Sequence, residues 1–280
     1  NFKRHFKPVA IFFAMSCATT IYTNLDSVML GFMATNADVG YYGAAVKIKN
    51  ILVSIVTSLG TVLLPRAAYY IEHQQMDEFK KLSRKALNFV FLVASPMMIY
   101  FMLFAKQGIY FLSGDAFGPA VVPMQLIMPT LLLIGITNIL GIQILVPLGY
   151  EKAVLVSEIV GAVIDLVVNA LLIPVYQSSG AAIGTLLAEF AVMVVQCVAL
   201  KNEIKTAFSD IKYLKIILAI ILASLASFWV TALNLHVFIT LVISAILFFG
   251  VYGLVLIIMK EKLVIEILTQ IFSKLKHKSA

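Results

Sequence analysis

Residues 216–259 read IILAIILASLASFWVTALNLHVFITLVISAILFFGVYGLVLIIM and contain no Asp, Glu, Lys or Arg. As one continuous helix this segment would be about 66 Å long, roughly twice the thickness of the hydrocarbon core of a bilayer. The segment must therefore turn back on itself, and the polar residues Asn234 and His236 near its middle mark the turn. Two apolar helices joined by a short polar turn are typical of a protein that crosses a membrane more than once.

The composition of the whole chain agrees with this interpretation. Of its 280 residues, 61% are hydrophobic and only 12% are charged, with a mean hydropathy of +1.00, whereas soluble domains carry about 45–50% apolar and about 25% charged residues. This composition excludes a soluble globular protein and a disordered chain, and two cysteines are too few for a disulfide scaffold. The net charge of +7 does not indicate nucleic-acid binding, because the cations form short clusters between apolar segments rather than one basic face.

Apolar windows of about 20 residues predict an all-α polytopic membrane protein with about eight transmembrane helices. The fourth is interrupted, because residues 116–150 are uncharged, too long for one straight span, and contain Pro119, Pro123, Pro129 and Pro147. These prolines predict a broken or kinked element. The predicted spans are 8–34, 42–66, 86–105, 120–148, 152–174, 180–200, 214–233 and 236–259.

The distribution of cations predicts the orientation of these spans. Of the 21 lysines and arginines, 18 fall at the two termini or in alternate loops that share one side of the predicted membrane. By the positive-inside rule, this side is the cytoplasm and both ends of the chain lie there. Residues 260–280 alternate apolar and Lys residues at helical spacing; they predict an amphipathic basic helix on anionic lipid, and a solvated basic tail is an equally compatible interpretation.

Polar residues recur along one face of each of the first two spans, which lipid would not tolerate. We therefore expect the two faces to meet protein or water. An ion pair between Asp26 and Lys47 across the hairpin is one interpretation, and a cationic lining for an anionic substrate is the other. Lys47 and Lys49 are two residues apart, so at most one of them can face the same cavity directly. The candidate substrate-binding residues are Lys47, Lys49, Asn50, Ser54, Thr61, Asn24 and Asp26.

Acidic residues lie inside the fifth and sixth spans. Asp165 and Asn169 share one helix face, and Glu189 lies well inside the next span. A carboxyl group at membrane depth is by default a functional candidate, as a proton relay, a cation ligand or the partner of a lysine. Asp165, Glu189 and Asn169 are therefore the candidate ion-coupling residues. A protonated carboxyl group that only hydrogen bonds packed helices together is the competing interpretation.

No enzyme signature is found in the sequence. The four histidines lie at or outside the ends of the spans, and no H-E-x-x-H, G-x-S-x-G or G-x-x-x-x-G-K motif occurs. We therefore expect no catalytic residue, no metal site and no cofactor. The segment GAAIG (Gly180–Gly184) has GxxxG spacing, and at the start of a span it predicts a tight turn and close helix packing.

Several stretches resemble bacterial polysaccharide (O-antigen) flippases, the oligosaccharidyl-lipid branch of the multidrug/oligosaccharidyl-lipid/polysaccharide exporter superfamily. They occur in the order and spacing of that family over about residues 1–200, and only in combination are they specific. The stretches are NLDSVMLGFMATNADVGYYGAAVKIKN (Asn24–Asn50), LLPRAAYY (Leu63–Tyr70), GDAFGPAVVPMQLI (Gly114–Ile127), QILVPLGYEKAVL (Gln143–Leu155) and VVNALLIPVYQSSGAAIGTLLAEF (Val167–Phe190).

The resemblance implies the C-terminal portion of a MATE-like transporter built from two helix bundles. Residues 1–200 would form the second six-helix bundle, residues 201–259 two additional helices, and residues 260–280 the basic tail. Since residue 1 is Asn, we expect the chain to begin partway through a longer protein whose N-terminal bundle is missing here. The implied function is to flip undecaprenyl-diphosphate-linked oligosaccharides across the bacterial cytoplasmic membrane. The implied partners are this lipid-linked sugar, the bilayer, and polysaccharide polymerases and glycosyltransferases.

Three alternatives stay open. The first is a multidrug or cation antiporter of the same superfamily, although an organic cation would prefer carboxylates without lysines nearby. The second is a membrane-embedded polysaccharide polymerase or transferase, although the predicted outer loops are short and contain no Arg. The third is a scaffold for a biosynthetic complex that transports nothing.

Overall fold

The computed structural model describes residues 2–201, 208–209, 211–233 and 235–278; within its helices, the side chains at 2–8, 11, 12, 15, 18, 21, 22, 59, 61, 270–272 and 274–278 are not described. The described chain consists of helices joined by short turns. The α-helices are α1 (Phe2–Met33), α2 (Asn36–Glu72), α3 (Met76–Leu103), α4 (Ala105–Ser113), α5 (Val121–Ile127), α6 (Thr130–Thr137), α7 (Glu151–Leu200), α8 (Tyr213–Phe228), α9 (Val237–Ile258) and α10 (Lys262–Lys278). Two 3-10 segments (Asp115–Ala120 and Trp229–Leu233) and a π-helical segment (Asn138–Leu145) complete the order.

Among the described residues, five helices are long and apolar enough to cross a membrane: α2, α3, α7, α8 with its 3-10 extension, and α9. A sixth span results if Asp115–Ile127 and Thr130–Leu145 together cross once. The expectation of an all-α polytopic membrane protein is therefore confirmed. Each predicted apolar window coincides with helical structure in this order.

The fourth predicted span is broken, as its prolines predicted. Asp115–Ile127 and Thr130–Leu145 are bent by 43° relative to each other, and Pro129 lies in the break. Proline cannot donate the backbone hydrogen bond that would continue a straight helix, which accounts for the bend. After the bend the helix widens into the π-helical segment Asn138–Leu145. Segments of this kind are frequent at functional sites.

Helix α7 is a hairpin of two helical arms within its 50 residues. The chain reverses at Gln177, whose φ of 46° and ψ of −125° are not helical. A side chain at Gly180 would lie 2.5 Å from the carbonyl oxygen of Leu172, and one at Gly161 would meet Val192. The arms 151–176 and 178–200 therefore run antiparallel and in close contact. This agrees with the two predicted spans and with the tight turn predicted near Gly180.

Helices α1, α2, α3, α5, α6 and α7 pack together, and α1 lies along α7. The α8–α9 hairpin packs on the outside, against α3 and α4. Two tyrosine hydroxyls connect α9 of this hairpin to α3. Tyr252 donates a hydrogen bond to the carbonyl oxygen of Leu92 (2.9 Å), and Tyr100 donates one to the carbonyl oxygen of Leu241 (2.8 Å). Buried carbonyl groups accept such bonds because no water reaches them inside a membrane. The division at residues 200 and 260 into bundle, hairpin and tail stays a prediction.

Candidate functional site

The α1–α2 hairpin brings Asp26 next to Tyr42. The turn is closed by Thr35, whose side chain accepts from the backbone of Asp38 while the Asp38 side chain accepts from the backbone of Thr35. Asp26 lies about two turns before this cap and Tyr42 about two turns after it, so both reach the same height in the bundle. The Tyr42 hydroxyl donates a hydrogen bond to Oδ2 of Asp26, and both residues are almost fully buried.

Helix α7 supplies two further donors to the same carboxyl group. Asn169 Nδ2 donates to Oδ1 of Asp26 at 2.6 Å, and the Thr185 hydroxyl donates to Oδ2 at 2.9 Å. Asn169 lies on the first arm of α7 and Thr185 on the second. Asp26 thus joins both arms of the α7 hairpin to the α1–α2 hairpin.

This cluster holds more acceptor atoms than donors. Asp165 is completely buried, one helical turn from Asn169. Neither of its carboxyl oxygens has a hydrogen-bond partner among the described residues, and the same holds for Oδ1 of Asn169. Buried polar atoms almost always have a partner, which is often a water molecule or an ion. A carboxyl group of this cluster can therefore accept a proton, or the oxygens of Asp165, Asn169 and Asp26 can bind a small cation.

No group of three or more His, Cys, Asp or Glu side chains within the described ranges is arranged to hold a metal ion. The cluster instead combines two carboxyl groups with an amide and hydroxyls. Such mixed oxygen sites within the membrane bind protons or sodium ions in secondary transporters, rather than transition metals.

A polar cavity of about 310 Å³ lies beside this cluster. Lys49 lines it, with only 8% of its surface exposed, and so does Glu189, with 4% exposed. The walls come from α1, α2, α6, both arms of α7 and the π-helical segment. The other polar side chains in the walls are Thr19, Thr23, Asn50, Thr137, Asn138, Glu158 and Gln196.

The cavity therefore offers a cation, two carboxyl groups, amides and hydroxyls in an otherwise apolar bundle. Thr19 donates to Oε2 of Glu158 at 3.3 Å across the α1–α7 contact. The Gln196 amide donates to the hydroxyl of Ser157 at 3.2 Å and joins the two arms of α7. Hydroxyl and amide groups can exchange hydrogen bonds with a polar ligand, and an ammonium group can neutralise an anion.

The structure separates the candidate substrate-binding residues into three groups. Lys49 and Asn50 line the cavity, whereas Asp26 belongs to the buried cluster with Asp165 and Asn169. Lys47, Ser54 and Asn24 are exposed on the outer faces of α1 and α2. The Thr61 side chain lies outside the described residues.

The ion pair considered between Asp26 and Lys47 is not formed within the described part of the chain, since Asp26 is occupied by Tyr42, Asn169 and Thr185. Sequence analysis did not identify Tyr42 as a partner of Asp26. The sequence signal that could have paired them is that Asp26 and Tyr42 lie at nearly equal distances on either side of the α1–α2 turn. Of the three candidate ion-coupling residues, Asp165 and Asn169 lie in the buried cluster and Glu189 lines the cavity.

Comparison with known proteins places these features in context. The family model described as "Polysaccharide biosynthesis protein" matches residues 1–122. A putative O-antigen transporter of Escherichia coli K12 is 24% identical over 191 residues, covering 68% of this chain and 46% of that protein. The probable flippase AglR of Haloferax volcanii is 22% identical over 194 residues, covering 66% and 39%. An uncharacterized membrane protein of Methanocaldococcus jannaschii is 25% identical over 229 residues, covering 81% and 45%.

The chain thus spans about half the length, or less, of these relatives. Among solved structures, the lipid II flippase MurJ in an inward closed conformation has a similar fold, with a TM-score of 0.71 at 14% identity. The match covers 93% of this chain and 56% of MurJ. The resemblance of the sequence to the polysaccharide flippases is thus confirmed, by the family model, by the transporter and flippase relatives, and by a MurJ-like membrane-transporter fold.

Proposed function

We propose that this chain forms one half of a flippase that moves undecaprenyl-diphosphate-linked oligosaccharides across the bacterial cytoplasmic membrane. The observation that carries the proposal is the polar cavity that holds Lys49 at its wall. A sugar head group cannot cross hydrocarbon, because its hydroxyl groups would lose their hydrogen-bond partners. A polar cavity open to the bilayer lets the head group pass while the lipid tail stays in the membrane.

Within this proposal, Lys49 attracts the diphosphate. The amides of Asn50 and Asn138 and the hydroxyls of Thr19 and Thr23 line the same cavity and hydrogen bond the sugar hydroxyls in place of water. Glu158 and Glu189 set the orientation of the head group, because their carboxyl groups repel the diphosphate while accepting hydrogen bonds from sugar.

The exposed polar faces of α1 and α2 support a two-bundle arrangement. Ser16, Thr20, Asn24 and Ser27 form one such face, and Lys47, Asn50, Ser54 and Ser58 form the other. Lipid would not tolerate either face. We propose that both face the N-terminal bundle of the complete protein across a shared hydrated pathway.

The buried cluster supplies the coupling step of the proposal. Uptake of a proton by Asp165, or of a sodium ion between Asp165 and Asn169, next to Asp26, satisfies the acceptor oxygens and draws α1 and α7 together. Release of the ion loosens that contact. Glu189 lies between this cluster and the cavity and links the state of the ion site to the position of the substrate.

The proposed setting follows from the same features. The lysine-rich end of the bundle, with both ends of the chain, faces the cytoplasm by the positive-inside rule. Glycosyltransferases and a polymerase are the proposed functional partners. The relatives with a named function are a transporter and a flippase, which supports a non-enzymatic role.

The test is export of surface polysaccharide in a host strain lacking its own copy of the gene. Lys49→Ala is expected to reduce export at least tenfold, since one charge-assisted contact to phosphate contributes about 1.5–3 kcal/mol. Lys49→Arg is expected to retain export. The matched control is Lys152→Ala, because Lys152 is exposed, lies on neither polar face and does not line the cavity.

Normal export by Lys49→Ala would remove Lys49 from the proposal. Resistance of the cells to ethidium, abolished by Glu189→Gln but unchanged by Lys49→Ala, would favour the multidrug antiporter instead. That alternative gains its support from the two carboxyl groups in the cavity wall.

A further inference from the structure

A second cavity, separate from the polar cavity, lies at the lysine-rich end of the bundle. It measures about 280 Å³ and is formed where α3, the start of α8, the α9–α10 turn and the start of α10 meet. It shares no lining residue with the polar cavity. Six cations and two carboxylates line it. The cations are Arg84, Lys85, Lys212, Lys215, Lys260 and Lys262.

Some of these charges are already engaged by the protein. Lys85 forms an ion pair with Glu266 at 2.7 Å, which ties α3 to α10. Lys215 donates to the carbonyl oxygens of Met259 and Lys260 at the end of α9, at 2.7 and 3.2 Å, and lies 3.7 Å from Glu261. Each of the two carboxylates is therefore paired with a lysine, Glu266 with Lys85 of α3 and Glu261 with Lys215 of α8.

The remaining lysines leave a positive excess in this cavity. Lys212, Lys260 and Lys262 have no carboxylate within 4 Å among the described residues. Asn88 in the same wall is 8% exposed, its amide nitrogen is 3.4 Å from Glu261, and its Oδ1 has no partner among the residues the structure describes. Clustered lysines that repel one another are stabilised by a bound anion.

An apolar groove of about 340 Å³ begins where this basic cavity ends. It runs between α3 and α8, with Phe91, Met98 and Ile99 on one side and Ile217, Ile220 and Ile221 on the other. Phe91 and Tyr213 meet edge to face at 5.4 Å at its entrance. The aromatic pair therefore lies between the lysines and the isoleucines.

The cavity and the groove follow the same faces of the same two helices. On α3, Arg84 and Asn88 line the cavity, and Phe91, Ser95 and Met98 continue at steps of three or four residues. Lys212, the residue before α8, lines the cavity, and Ile220 lines the groove about two turns further along α8. From Asn88 to Met98 the helix rises about 15 Å, which is close to the thickness of one hydrocarbon leaflet.

We propose that this continuous site binds an anionic membrane phospholipid, with its phosphate between Lys212, Lys260 and Lys262 and one acyl chain in the α3–α8 groove. A basic pocket at the end of transmembrane helices matches an anionic head group. The groove selects a lipid over a soluble anion, because only a lipid fills both parts. The bound lipid fills the seam that joins the α8–α9 hairpin to the six-helix bundle, so it stabilises that junction.

The test measures the thermal stability of the purified protein in a non-ionic detergent. Dioleoylphosphatidylglycerol is expected to raise the midpoint of unfolding, whereas dioleoylphosphatidylcholine and soluble glycerol phosphate at equal concentration are not. Native mass spectrometry is expected to find one phosphatidylglycerol retained per chain. An equal effect of phosphatidylcholine would overturn the role of the lysines, and an equal effect of glycerol phosphate would overturn the lipid as the ligand.

Two pairs of variants test the two parts of the site. Each lysine near an anionic lipid contributes about fivefold in affinity, so the triple variant K212Q/K260Q/K262Q is expected to bind phosphatidylglycerol more than tenfold more weakly. Its control, K81Q/K152Q/K201Q, removes three exposed lysines from the same end and is expected to bind normally. Equal binding by the two variants would contradict the proposal.

The groove is tested by Ile217→Trp, which fills it, against Leu218→Trp on the neighbouring, non-lining position. Both positions are partly exposed, so neither variant disturbs the core. Ile217→Trp is expected to abolish retention of phosphatidylglycerol, and Leu218→Trp to preserve it. Full retention by Ile217→Trp would show that the acyl chain lies elsewhere and would overturn the site. None of these outcomes depends on flippase activity.

Discussion

Asn169 donates a hydrogen bond of 2.6 Å to Asp26, and this contact joins helix α1 to the first arm of α7 across 143 residues of sequence. The same Asn169 faces the second arm so closely that its Oδ1 overlaps the position a side chain at Gly184 would take. One amide thus contacts α1 and both arms of α7. It also orients Asp26 toward Asp165, whose own oxygens have no donor in the described part of the structure.

The Asn169–Asp26 bond is expected to contribute to stability. Asn169→Ala leaves Oδ1 of Asp26 without its donor, and an unsatisfied buried group costs about 1–3 kcal/mol. The midpoint of thermal unfolding in detergent should fall accordingly. Asn24→Ala is the control, because Asn24 is exposed and bonds only within its own helix. Equal losses in the two variants would mean that the bond between α1 and α7 adds nothing.

The buried acceptor oxygens predict a response to small cations. Wild-type protein is expected to unfold at a higher temperature either when sodium replaces N-methylglucamine at fixed pH, or when the pH is lowered without sodium. Binding of a ligand to the folded state alone stabilises it by RT ln(1 + [L]/Kd). Asp165→Asn is expected to abolish the response, while Asp115→Asn, on an exposed turn, keeps it. A wild-type protein indifferent to both treatments would exclude the coupling site.

The spans and the kink could be predicted because they depend on local properties. Uncharged segments of about 20 residues have few alternatives to crossing a membrane, and four prolines within residues 116–150 make one straight helix there unfavourable. Asp165 and Asn169 could be singled out for a similar reason, since a four-residue step places both on one helix face whatever its rotation.

The choice between Lys47 and Lys49 could not be predicted, since it depends on how α2 is rotated in the bundle. Their positions differ by about 200° around the helix, and the polar stripe on α2 is broad enough to include either. Only the packing of α2 against α7 decides that Lys49 enters the cavity. Tyr42 could not be predicted as the partner of Asp26, because a tyrosine near a helix end more often lies at the membrane interface than hydrogen bonds to a buried carboxyl group.

The cation asymmetry predicts which residues meet each side of the membrane. In a variant without Cys17 and Cys197, a cysteine at Gln74 in the α2–α3 turn is expected to react with an impermeant maleimide only after the cells are opened. A cysteine at Asp115 is expected to react in intact cells. Both positions are exposed, so access to the reagent alone decides the outcome. Labelling of Gln74→Cys in intact cells would reverse the proposed orientation.

Glycine-to-alanine substitutions in the tightly packed α7 hairpin and in the loosely packed α9 are predicted to have opposite effects on stability. Gly184→Ala inserts a methyl group against Asn169 Oδ1 and 3.2 Å from Asp165 Oδ1, and overpacking of this kind costs about 1–3 kcal/mol. Gly250→Ala meets nothing within 4 Å, and in a helix interior it gains up to about 1 kcal/mol. Unfolding midpoints are therefore expected to fall for Gly184→Ala and to hold or rise for Gly250→Ala. Because the added methyl group also displaces Asn169 from Asp26, Gly184→Ala is further expected to lose the stabilisation by small cations. If Gly184→Ala kept that stabilisation, the packing of the two arms of α7 would be independent of the ion site.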